Sequence, residues 1–504
     1  MSETEERSVA SFPASSSQLE AALLNPMEMR DADRLAVEAG VSSLYLMEAA
    51  GFSVAREVVR LCGRKQQIVV LCGPGNNGGD GFVAARMLAR RGWPVRVALS
   101  CKLDALKGDA AINAQRWKGP VEQLSSRSVD RAAMVVDAMF GAGLDRPLDG
   151  DSAAVVAKIN KDSIPCLAVD IPSGLNGYDG SLQGPAPVCV ATVTFFRPKP
   201  GHVLYPGRDY IGRLTVTDIG IPASVLERVS PRTFINDPRL WSLPVPNWRD
   251  HKYSRGHVIV FSGVRMSGAA RLAAMAARRA GAGLVTVVAP RDTASLCALD
   301  PGLIVVPQND KDGFLTLPQN IRANAVVIGP GLGLVPLLPE MVRDSVSRRL
   351  AIVLDADAIT IFAGRIDELR AIVRTAVAPI VMTPHEGELR RLFPKMGTLP
   401  RLVRARQAAR DLGVFMVLKG ADTIIAAPDG MAAVTTHAVP WLATAGSGDV
   451  LAGTIAANLA GGMDGFSAAC AGVWLHAEAG RHLGKGMIAE DISLAFPHIL
   501  AQLT

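Results

Sequence analysis

The sequence has few aromatic residues, no long uninterrupted apolar run and no closely spaced pair of cysteines. Phe, Trp and Tyr make up 5% of the 504 residues and the basic residues are scattered, so a nucleic-acid-binding surface is not expected. No apolar run reaches the roughly 18 residues that indicate a membrane-spanning helix, so no membrane association is expected. The seven cysteines include no C-x-x-C pair, which argues against disulfides and a zinc site and predicts reduced thiols in a cytoplasmic protein.

The composition is that of an α/β protein long enough for two domains. A chain of 504 residues exceeds what one hydrophobic core usually serves. Its 48 Gly and 32 Pro residues suit many tight turns between strands and helices. The formal charge of +6 would accommodate an anionic ligand. The chain begins with a Ser- and Glu-rich stretch, so residues 1–24 are predicted to be a disordered tail.

Alternating strand-like and helical runs predict a parallel, doubly wound sheet over residues 25–226. Two helical segments, 26–40 and 43–61, come first. The strands that follow are apolar and rich in β-branched residues, as strands buried on both faces are. The predicted strands are 67–71, 95–100, 134–137, 166–170, 190–195 and 213–218, with helices at 81–90, 109–118 and 152–159.

A second α/β domain is predicted over residues 235–504. Five prolines between residues 222 and 250 interrupt the periodicity and mark a linker or a lead-in segment. Strand-like runs then begin again, and two Ala-rich helices are predicted to close the chain. The predicted strands are 258–261, 285–289, 325–328, 352–355, 380–382, 415–419 and 423–427, with helices at 268–281, 448–459 and 466–483.

A Gly-rich loop with the sequence GPGNNGGDG, residues 73–81, follows the first predicted strand. Ligands of open parallel sheets bind at the carboxyl ends of the strands, where this loop lies. Its backbone N–H groups, together with the oxygens of Asn76, Asn77 and Asp80, can hold a pyrophosphate and a hard cation side by side. The alternative is a Gly-Asn turn that only introduces the next helix.

Two further strand ends carry polar residues. Asp137 ends one predicted strand and precedes FGAGLDRP, and Asp170 ends the next and precedes IPSGL. A carboxylate at the end of a buried strand is costly to desolvate unless it is paired, bound to a metal or catalytic. Three polar strand ends together therefore predict one site.

The motifs GPGNNGGDG, VDAMFGAGL and VDIPSGLNG resemble those of the YjeF N-terminal family, the NAD(P)H-hydrate epimerases. The resemblance covers roughly residues 25–225 and implies a Rossmann-like domain that interconverts the R and S epimers of hydrated NAD(P)H at C6. It implies potassium bound by Asn77, Asp137 and Ser173, with Asp170 as the catalytic or substrate-binding carboxylate. The implied contacts to the hydrate are Asn76, Asn77, Gly78, Gly79, Asp80, Gly141, Ala142, Gly143, Leu144, Asp145, Arg146, Pro147 and Asp170.

The second half contains its own predicted anion site at Gly446–Asp449, where GSGD opens an apolar helical segment. Free backbone N–H groups and the helix dipole favour a negatively charged ligand there. The alternative is that Asp449 is an ordinary helix-capping residue. Four other polar loops at strand ends favour a site. They are the segments 329–333, 354–358, 383–388 and 419–423.

These loops resemble those of the ADP/ATP-dependent NAD(P)H-hydrate dehydratases, a branch of the ribokinase-like α/β/α fold, across residues 235–504. The sequence departs from the usual pattern at residues 261–263 and 445–447, where FSG and AGS replace motifs with two adjacent glycines. The resemblance implies contacts to the hydrated cofactor from Ala269, Gly333, His385 and Asp449. It implies contacts to the adenine nucleotide from Lys419, Gly420, Ala421, Asp422, Thr423 and Gly448.

The two halves in this order resemble the bifunctional NAD(P)H-hydrate repair enzymes. Hydroxide is a poor leaving group, and phosphorylation of the C6 hydroxyl would turn it into phosphate, which the ring nitrogen can expel. Asp449 would accept the hydroxyl proton, and the amides of the anion loop would stabilise the transferring phosphoryl group. The implied cofactors are K⁺ in the first domain, and Mg²⁺ with ADP or ATP in the second.

Two other functions fit parts of the sequence. A vitamin or sugar kinase would also use Asp449 and the C-terminal fold, although the TPHEGE loop and the fused N-terminal domain weigh against it. The N-terminal domain could instead be a binding module without turnover, against which Asn77, Asp137 and Asp170 argue. The expected partners are the small-molecule hydrates NADHX and NADPHX and an adenine nucleotide, with a homo-oligomer as the assembly.

Overall fold

The computed structural model describes residues 15–308 and 321–503. The chain divides into two compact units, and the division falls between Thr233 and Phe234, inside the segment predicted as a linker. No helix in these two ranges is long and apolar enough to cross a membrane. The predicted tail lies outside the described residues as far as residue 14.

The first unit is a parallel sheet with helices between its strands. The strand order is β4-β3-β2-β5-β6-β7-β8, and each neighbouring pair is parallel. The helices are α1 (Ser16–Leu19), α2 (Pro26–Glu38), α3 (Ser43–Cys62), α4 (Asn76–Arg90), α5 (Gly108–Arg116), α6 (Gly150–Lys161), α7 (Pro200–Val203) and α8 (Val225–Val229). The strands are β1 (Ala22–Leu23), β2 (Ile68–Cys72), β3 (Val95–Leu99), β4 (Val121–Gln123), β5 (Met134–Ala138), β6 (Cys166–Val169), β7 (Ala191–Phe195) and β8 (Arg213–Thr217), of which β2 to β8 form this sheet.

The order of the strands determines where a ligand can bind. The chain runs from β2 to β3 on one side and returns to β5 on the other, so the connections diverge between β2 and β5. A crevice opens outside the carboxyl ends of the strands at such a point. All five residues of β2 and of β5 are buried, which anchors the loops that line the crevice. Gly73 follows β2 and lies so close to β5 that a Cβ there would come within 1.7 Å of the Met139 carbonyl oxygen.

Besides the short elements β4, α7 and α8, which were not predicted, two regions of the first unit differ from the prediction. The Gly-rich segment is mostly helical, because α4 begins at Asn76 and not at residue 81. Its glycines permit close packing, since a Cβ on Gly79 would lie 2.6 Å from the sulfur of Met47. The second difference concerns residues 15–24, which are ordered although they were predicted as tail. Ser15 caps a short helix there, and Leu19 and Leu24 are buried in the core.

The second unit is a larger sheet with the strand order β9-β18-β17-β16-β15-β14-β13-β10-β11-β12. Its strands are β9 (Thr233–Ile235), β10 (His257–Phe261), β11 (Leu284–Pro290), β12 (Ile304–Gln308), β13 (Ala325–Ile328), β14 (Ala351–Leu354), β15 (Ile380–Met382), β16 (Phe415–Leu418), β17 (Ile424–Ala426) and β18 (Ala432–Val434). Its helices are α9 (Ser267–Arg279), α10 (Arg291–Cys297), α11 (Leu338–Ser347), α12 (Asp357–Thr360), α13 (Ile366–Val373), α14 (Glu386–Leu392), α15 (Arg401–Leu412), α16 (Ser447–Ala460), α17 (Gly465–Leu483) and α18 (Ala489–Leu500).

The central strands of this sheet are parallel, and β16, β17 and β18 add antiparallel pairs. Strand β10 lies between β11 and β13, so a second crevice opens beside the loops that follow β10 and β13. The chain closes with three helices and not two, because α18 follows the two predicted ones. Ile492 and Phe496 of α18 are fully buried, which explains its place in the fold. The predicted α/β class and the two predicted sheets are confirmed.

Candidate active sites

The first unit encloses a cavity of about 700 Å³ at the carboxyl ends of its strands. Helix α2, the start of α4 and the loop after β5 form its walls. Most of the residues predicted to contact the hydrate line this cavity. They are Asn76, Asn77, Asp80, Gly141, Ala142, Gly143, Leu144, Asp145, Arg146 and Asp170. The remaining three, Gly78, Gly79 and Pro147, are not among the lining residues.

Asp170 lies at the end of β6 and is held by four groups. Its Oδ1 accepts hydrogen bonds from Lys199 Nζ at 2.6 Å and from Thr194 Oγ1 at 3.1 Å. Its Oδ2 accepts from the backbone N–H of Ala142 at 2.9 Å, and its carbonyl oxygen lies 2.9 Å from His202 Nε2. Its φ angle is +65°, a conformation that non-glycine residues rarely adopt. The surrounding contacts therefore fix this carboxylate in one orientation.

The charge of Asp170 is fixed as well as its position. Burial acts to raise the pKa of Asp170, but Lys199, the backbone N–H of Ala142 and His202 together outweigh burial and lower the pKa to about 2. The partner Lys199 is 1% exposed and also donates to Thr194 Oγ1 at 2.8 Å. Asp170 is therefore an ionised group at neutral pH and is poorly suited to donating a proton.

His202 supports this ion pair in its neutral form. Its Nδ1 accepts the backbone N–H of Lys199 at 2.9 Å, so the proton resides on Nε2 and is donated to the Asp170 carbonyl oxygen. Burial lowers the pKa of His202 to about 4, and the neighbouring Lys199 charge adds to this effect. The imidazole therefore orients the pair and does not titrate near neutral pH.

Two other carboxyl groups of the cavity differ from Asp170. Burial raises the pKa of Asp80 well above its ordinary value, and the charges of Asp170 and Asp33 raise it further. Burial likewise raises the pKa of Asp33 to about 6, against the attraction of Lys199. The sequence analysis did not identify Asp33 or Lys199. Asp33 is an acid in an amphipathic helix and Lys199 is a lysine in a Pro-rich turn, and both patterns predict a solvent-exposed side chain. The one signal in the sequence was the position of Lys199 just after a strand.

Asp137 and Ser173 form a fully buried pair beside this cavity. Ser173 donates to Asp137 from its Oγ at 2.7 Å and from its backbone N–H at 2.8 Å, and its Oγ also contacts the backbone of Phe140. Burial raises the pKa of Asp137, although the hydrogen bonds from Ser173 oppose this effect. The third predicted metal ligand is Asn77. Its Oδ1 lies 3.4 Å from the position that a Cβ on Gly141 would occupy.

These three side chains offer only oxygen and amide groups. Asn77 Nδ2 is buried without a hydrogen-bond partner, and the assignment of amide oxygen and nitrogen can be exchanged to present an oxygen there. Within residues 15–308 and 321–503, no group of three or more His, Cys, Asp or Glu side chains is arranged to hold a metal. The donor set therefore fits a hard, weakly bound cation and not a transition metal.

In the second unit, the predicted anion loop begins helix α16. Gly446 adopts a φ of +87° and precedes Ser447, the first residue of the helix. His476 supports the turn, since its Nε2 lies 2.9 Å from Ser447 Oγ. Asp449 is in the first turn, where burial and the charge of Asp355 raise its pKa to about 7. The carboxyl group of Asp449 can therefore gain or lose a proton near neutral pH.

Lys419 is paired with Asp355 next to this helix. Its Nζ donates to Asp355 Oδ1 at 2.7 Å, and Thr383 Oγ1 donates to the same oxygen at 2.8 Å. A Cβ on Gly448 would lie 3.4 Å from the Lys419 Nζ, so the ammonium faces the anion loop. Burial acts to lower the pKa of Lys419, but Asp355 leaves it above its ordinary value. Asp355, Thr383 and His476 were not among the predicted site residues, although Asp355 and Thr383 belong to two of the polar segments, 354–358 and 383–388, that favoured a site.

The loop after β13 brings two predicted hydrate contacts to the same area. A Cβ on Gly331 would lie 3.0 Å from the Cβ of Ala269, at the start of α9. The backbone N–H of Gly333 donates to Asp357 Oδ2 at 2.8 Å, and the φ of Gly333 is +79°. Asp357 in turn adds to the negative potential at Asp449. The loop at residues 329–333 therefore contains Gly333 and also packs against Ala269.

His385 and the predicted nucleotide segment are neighbours in the backbone. The N–H of Lys419 donates to the Pro384 carbonyl oxygen at 2.9 Å, next to His385. His385 Nδ1 accepts the backbone N–H groups of Gly387 and Glu388, which leaves the proton on an exposed Nε2. Within residues 419–423, Thr423 Oγ1 donates to the Gly420 carbonyl oxygen at 2.8 Å and so closes a tight turn.

Two sequence families match the chain, one in each unit. The family described as YjeF-related protein N-terminus matches residues 43–201. The family described as NAD(P)H-hydrate dehydratase matches residues 258–497.

Relatives match over almost the whole length. A bifunctional NAD(P)H-hydrate repair enzyme Nnr of Moorella thermoacetica is 36% identical over 520 aligned residues, which cover 95% of this chain and 97% of the relative. Another, from Thermofilum pendens, is 37% identical and covers 90% of each chain. The crystal structure of an ADP/ATP-dependent NAD(P)H-hydrate dehydratase from Bacillus subtilis has 25% sequence identity and a TM-score of 0.46, over 52% of this chain and 95% of that one. From its full-length relatives, the chain belongs to the family of bifunctional NAD(P)H-hydrate repair enzymes.

Proposed function

We propose that the chain repairs hydrated NAD(P)H in two reactions, with residues 25–226 as an epimerase domain and residues 235–504 as a dehydratase domain. The epimerase interconverts R- and S-NAD(P)HX at C6, and the dehydratase converts the S epimer to NAD(P)H with ADP or ATP as phosphoryl donor. The observation that carries this proposal is that each unit has its own aspartate–lysine pair, with one partner fully buried, beside a carboxyl group with a raised pKa. Full-length relatives named for both activities support it.

The dehydratase reaction follows from the residues around α16. Asp449 accepts the proton of the C6 hydroxyl while the hydroxyl oxygen bonds to the terminal phosphorus of the nucleotide, whose bridging bond breaks. Lys419 and the backbone N–H groups at residues 447 and 448 stabilise the phosphoryl oxygens. The lone pair of the ring nitrogen then expels phosphate, and loss of a proton from C5 restores the dihydropyridine. Magnesium bound with the nucleotide would neutralise phosphate charge.

In the epimerase domain, Asp170 serves as a fixed negative charge. Its carboxylate stays ionised beside Lys199 and lines the cavity together with Asn76 and Asn77. Such a group can bind the hydrate and stabilise positive charge on its ring, as proposed for a catalytic or substrate-binding carboxylate.

We propose that potassium supports this domain through Asn77, Asp137 and Ser173. The support is the buried oxygen donor set and the unpartnered amide nitrogen of Asn77. When bound, the cation would fix the loop at residues 139–143 through the Asp137–Ser173 pair. Epimerisation should slow when potassium is replaced by a large organic cation, as followed by separation of the two hydrates. An unchanged rate in potassium-free buffer would remove this assignment.

The setting and assembly of the protein remain proposals. All seven cysteines are free thiols in the structure, which supports the cytoplasmic setting. The expected assembly is a homo-oligomer, which light scattering of the purified chain would test. A sugar or vitamin kinase would leave a stable phosphoester, whereas the proposed dehydratase releases inorganic phosphate. Measuring released phosphate therefore separates the two candidate reactions.

The two-site proposal is tested by two matched substitutions. Asp449→Asn should abolish the conversion of S-NADPHX to NADPH, because an amide cannot accept the proton, while R/S exchange continues. Asp170→Asn should have the reverse effect, because it lies in the other unit on its own sheet, and sites without shared partners act independently. The measurement is chiral separation of the two hydrates over time, with and without nucleotide. A folded single variant that loses both activities would contradict two separate sites.

A further inference from the structure

The cavity of the first unit contains more carboxyl groups than its one buried lysine can neutralise. Lys199 is bound to Asp170 at 2.6 Å. Asp33 and Asp80 line the same cavity and interact electrostatically with that pair. Among the described residues, neither of these two carboxyl groups makes a hydrogen bond. Asp80 is 92% buried, so an unpartnered polar group is turned towards the space that a ligand would fill.

Resting on the epimerase function proposed above, we propose that Asp33 and Asp80 are the acid–base pair that moves the protons of epimerisation at C6. Asp170 and Lys199 have a different task, because they neutralise each other and stay charged. Two carboxyl groups whose surroundings favour different protonation states are the arrangement in which one acts as acid and the other as base. Asp80, the more buried, would carry the proton, and Asp33, on α2, would be the base.

The reaction balances with water as the only co-reactant. Asp80 donates its proton to the C6 hydroxyl, the C6–O bond breaks with its electron pair, and water leaves. The lone pair of the ring nitrogen forms a double bond to C6, and the nearby Asp170 carboxylate stabilises the resulting cation. A water molecule then adds to the opposite face, and its proton passes to Asp33. Transfer of that proton from Asp33 to Asp80 restores the starting state.

Other charged groups also face this pair and will affect its titration. Asp33 is on α2, which contributes two arginines to the cavity wall, and Asp80 is on α4. The remaining groups come from α5, from the loop after β5 and from the ends of β6 and β7. The charged residues that line the cavity besides Asp33 and Asp80 are Arg30, Arg34, Asp109, Asp145, Arg146, Asp170 and Lys199.

The test compares Asp33→Asn and Asp80→Asn with the wild-type full-length chain and with Asp31→Asn. Asp31 is a suitable control because it is on the same helix, is exposed and pairs with Arg34. The substrate is a mixture of R- and S-NADPHX without nucleotide, so that only epimerisation is observed. The spontaneous rate without protein is subtracted. Thermal unfolding verifies that each variant is folded, and Asp33→Glu, which keeps a carboxyl group, should retain part of the activity.

We expect kcat to fall by about a hundredfold or more in each Asn variant, with a smaller change in KM, because general acid–base catalysis contributes about 10²–10⁴-fold. Asp33→Asn should also remove the acidic limb of the pH–rate profile. In ¹⁸O-labelled water, each epimerisation should place solvent oxygen on C6. Variants that keep the wild-type kcat, or epimers that interconvert without solvent oxygen, would overturn the acid–base assignment. A wild-type chain that does not accelerate exchange would instead refute the epimerase function itself.

Discussion

Lys419 and Asp355 form an ion pair beside Asp449. We predict that substitutions of these two residues shift the pH profile of the dehydration rate in opposite directions. In the proposed dehydration, Asp449 must be ionised to accept the hydroxyl proton, and its pKa of about 7 lies close to physiological pH. Dehydration should therefore be slow below pH 7 and rise to a plateau at higher pH. Asp355 raises this pKa and Lys419 lowers it.

Lys419→Met removes a positive charge beside the anion loop. The pKa of Asp449 should then rise, and the midpoint of the profile should move to higher pH by about one unit, equivalent to about 1.4 kcal/mol. Asp355→Asn removes a negative charge but keeps an oxygen that can accept from Thr383 Oγ1. Its midpoint should move to lower pH.

The same substitutions separate nucleotide binding from catalysis. Lys419 has three N–H donors and uses one on Asp355, so the others remain for phosphate. A charged hydrogen bond is worth about 1.5–3 kcal/mol, so Lys419→Met should weaken the nucleotide Kd by about 10- to 150-fold and affect hydrate binding less.

The assay is NADPH absorbance at saturating nucleotide over a range of pH, with calorimetry for the nucleotide Kd. Asp411→Asn is a control, since it changes an acid in the same unit that lies outside the site. Shifts of both midpoints in the same direction, or none, would refute the electrostatic account of Asp449. A loss of hydrate binding with an unchanged nucleotide Kd would refute the role of Lys419.

Two further predictions concern the first unit. Lys199→Met should lower the free energy of unfolding by about 3–5 kcal/mol, because it leaves Asp170 as an unpaired buried charge. The ion pair stabilises the wild-type protein above the ordinary Asp pKa of 3.8, and this stabilisation is lost as the pH falls through about 2. The difference in stability between Lys199→Met and wild type, measured by thermal unfolding, should therefore shrink in acid. Adding Asp170→Asn to the variant should recover part of the lost stability. Gly73→Ala should lower the free energy of unfolding by about 2 kcal/mol or more, because its Cβ would lie 1.7 Å from the Met139 carbonyl oxygen. Gly75→Ala is the control, because a Cβ there has no neighbour within 4 Å. Similar melting temperatures for these two variants would contradict the packing argument.

The sequence predicted most strands because their physical signal is local. Buried parallel strands such as β5 and β13 are short apolar runs, and the structure places β13 at the predicted residues 325–328. The acids at strand ends were also visible, because a carboxylate after a buried run is unusual. This signal located Asp137 and Asp170 without any knowledge of the sheet order, and the GSGD motif at the start of a helix located Asp449.

The missing site residues depend on contacts between distant parts of the chain. Lys199 becomes a buried partner only because β7 ends beside β6, and Asp33 enters the cavity only because α2 packs over it. Neither position differs in sequence from an ordinary surface residue. The Gly-rich segment was predicted as a loop for a related reason. Its glycines were interpreted as a loop whose backbone N–H groups face a ligand, whereas Gly79 is required by close contact with Met47 inside a helix.

The two units have the same arrangement of charged groups, an aspartate–lysine ion pair next to a further carboxyl group, each on its own sheet. In each, an aspartate just beyond a strand end is paired with a lysine that follows another strand of the same sheet, at 2.6 Å for Asp170–Lys199 and 2.7 Å for Asp355–Lys419. The two strands are neighbours in the first unit, β6 and β7, whereas in the second unit β15 lies between β14 and β16. The paired aspartate raises the pKa of the next carboxyl group, as Asp170 does for Asp80 and Asp355 does for Asp449. A site built this way places a lysine-paired carboxyl group beside a second carboxyl group with a raised pKa. Both proposed reactions need that combination, since each must move a proton at C6 while positive charge develops on the ring nitrogen.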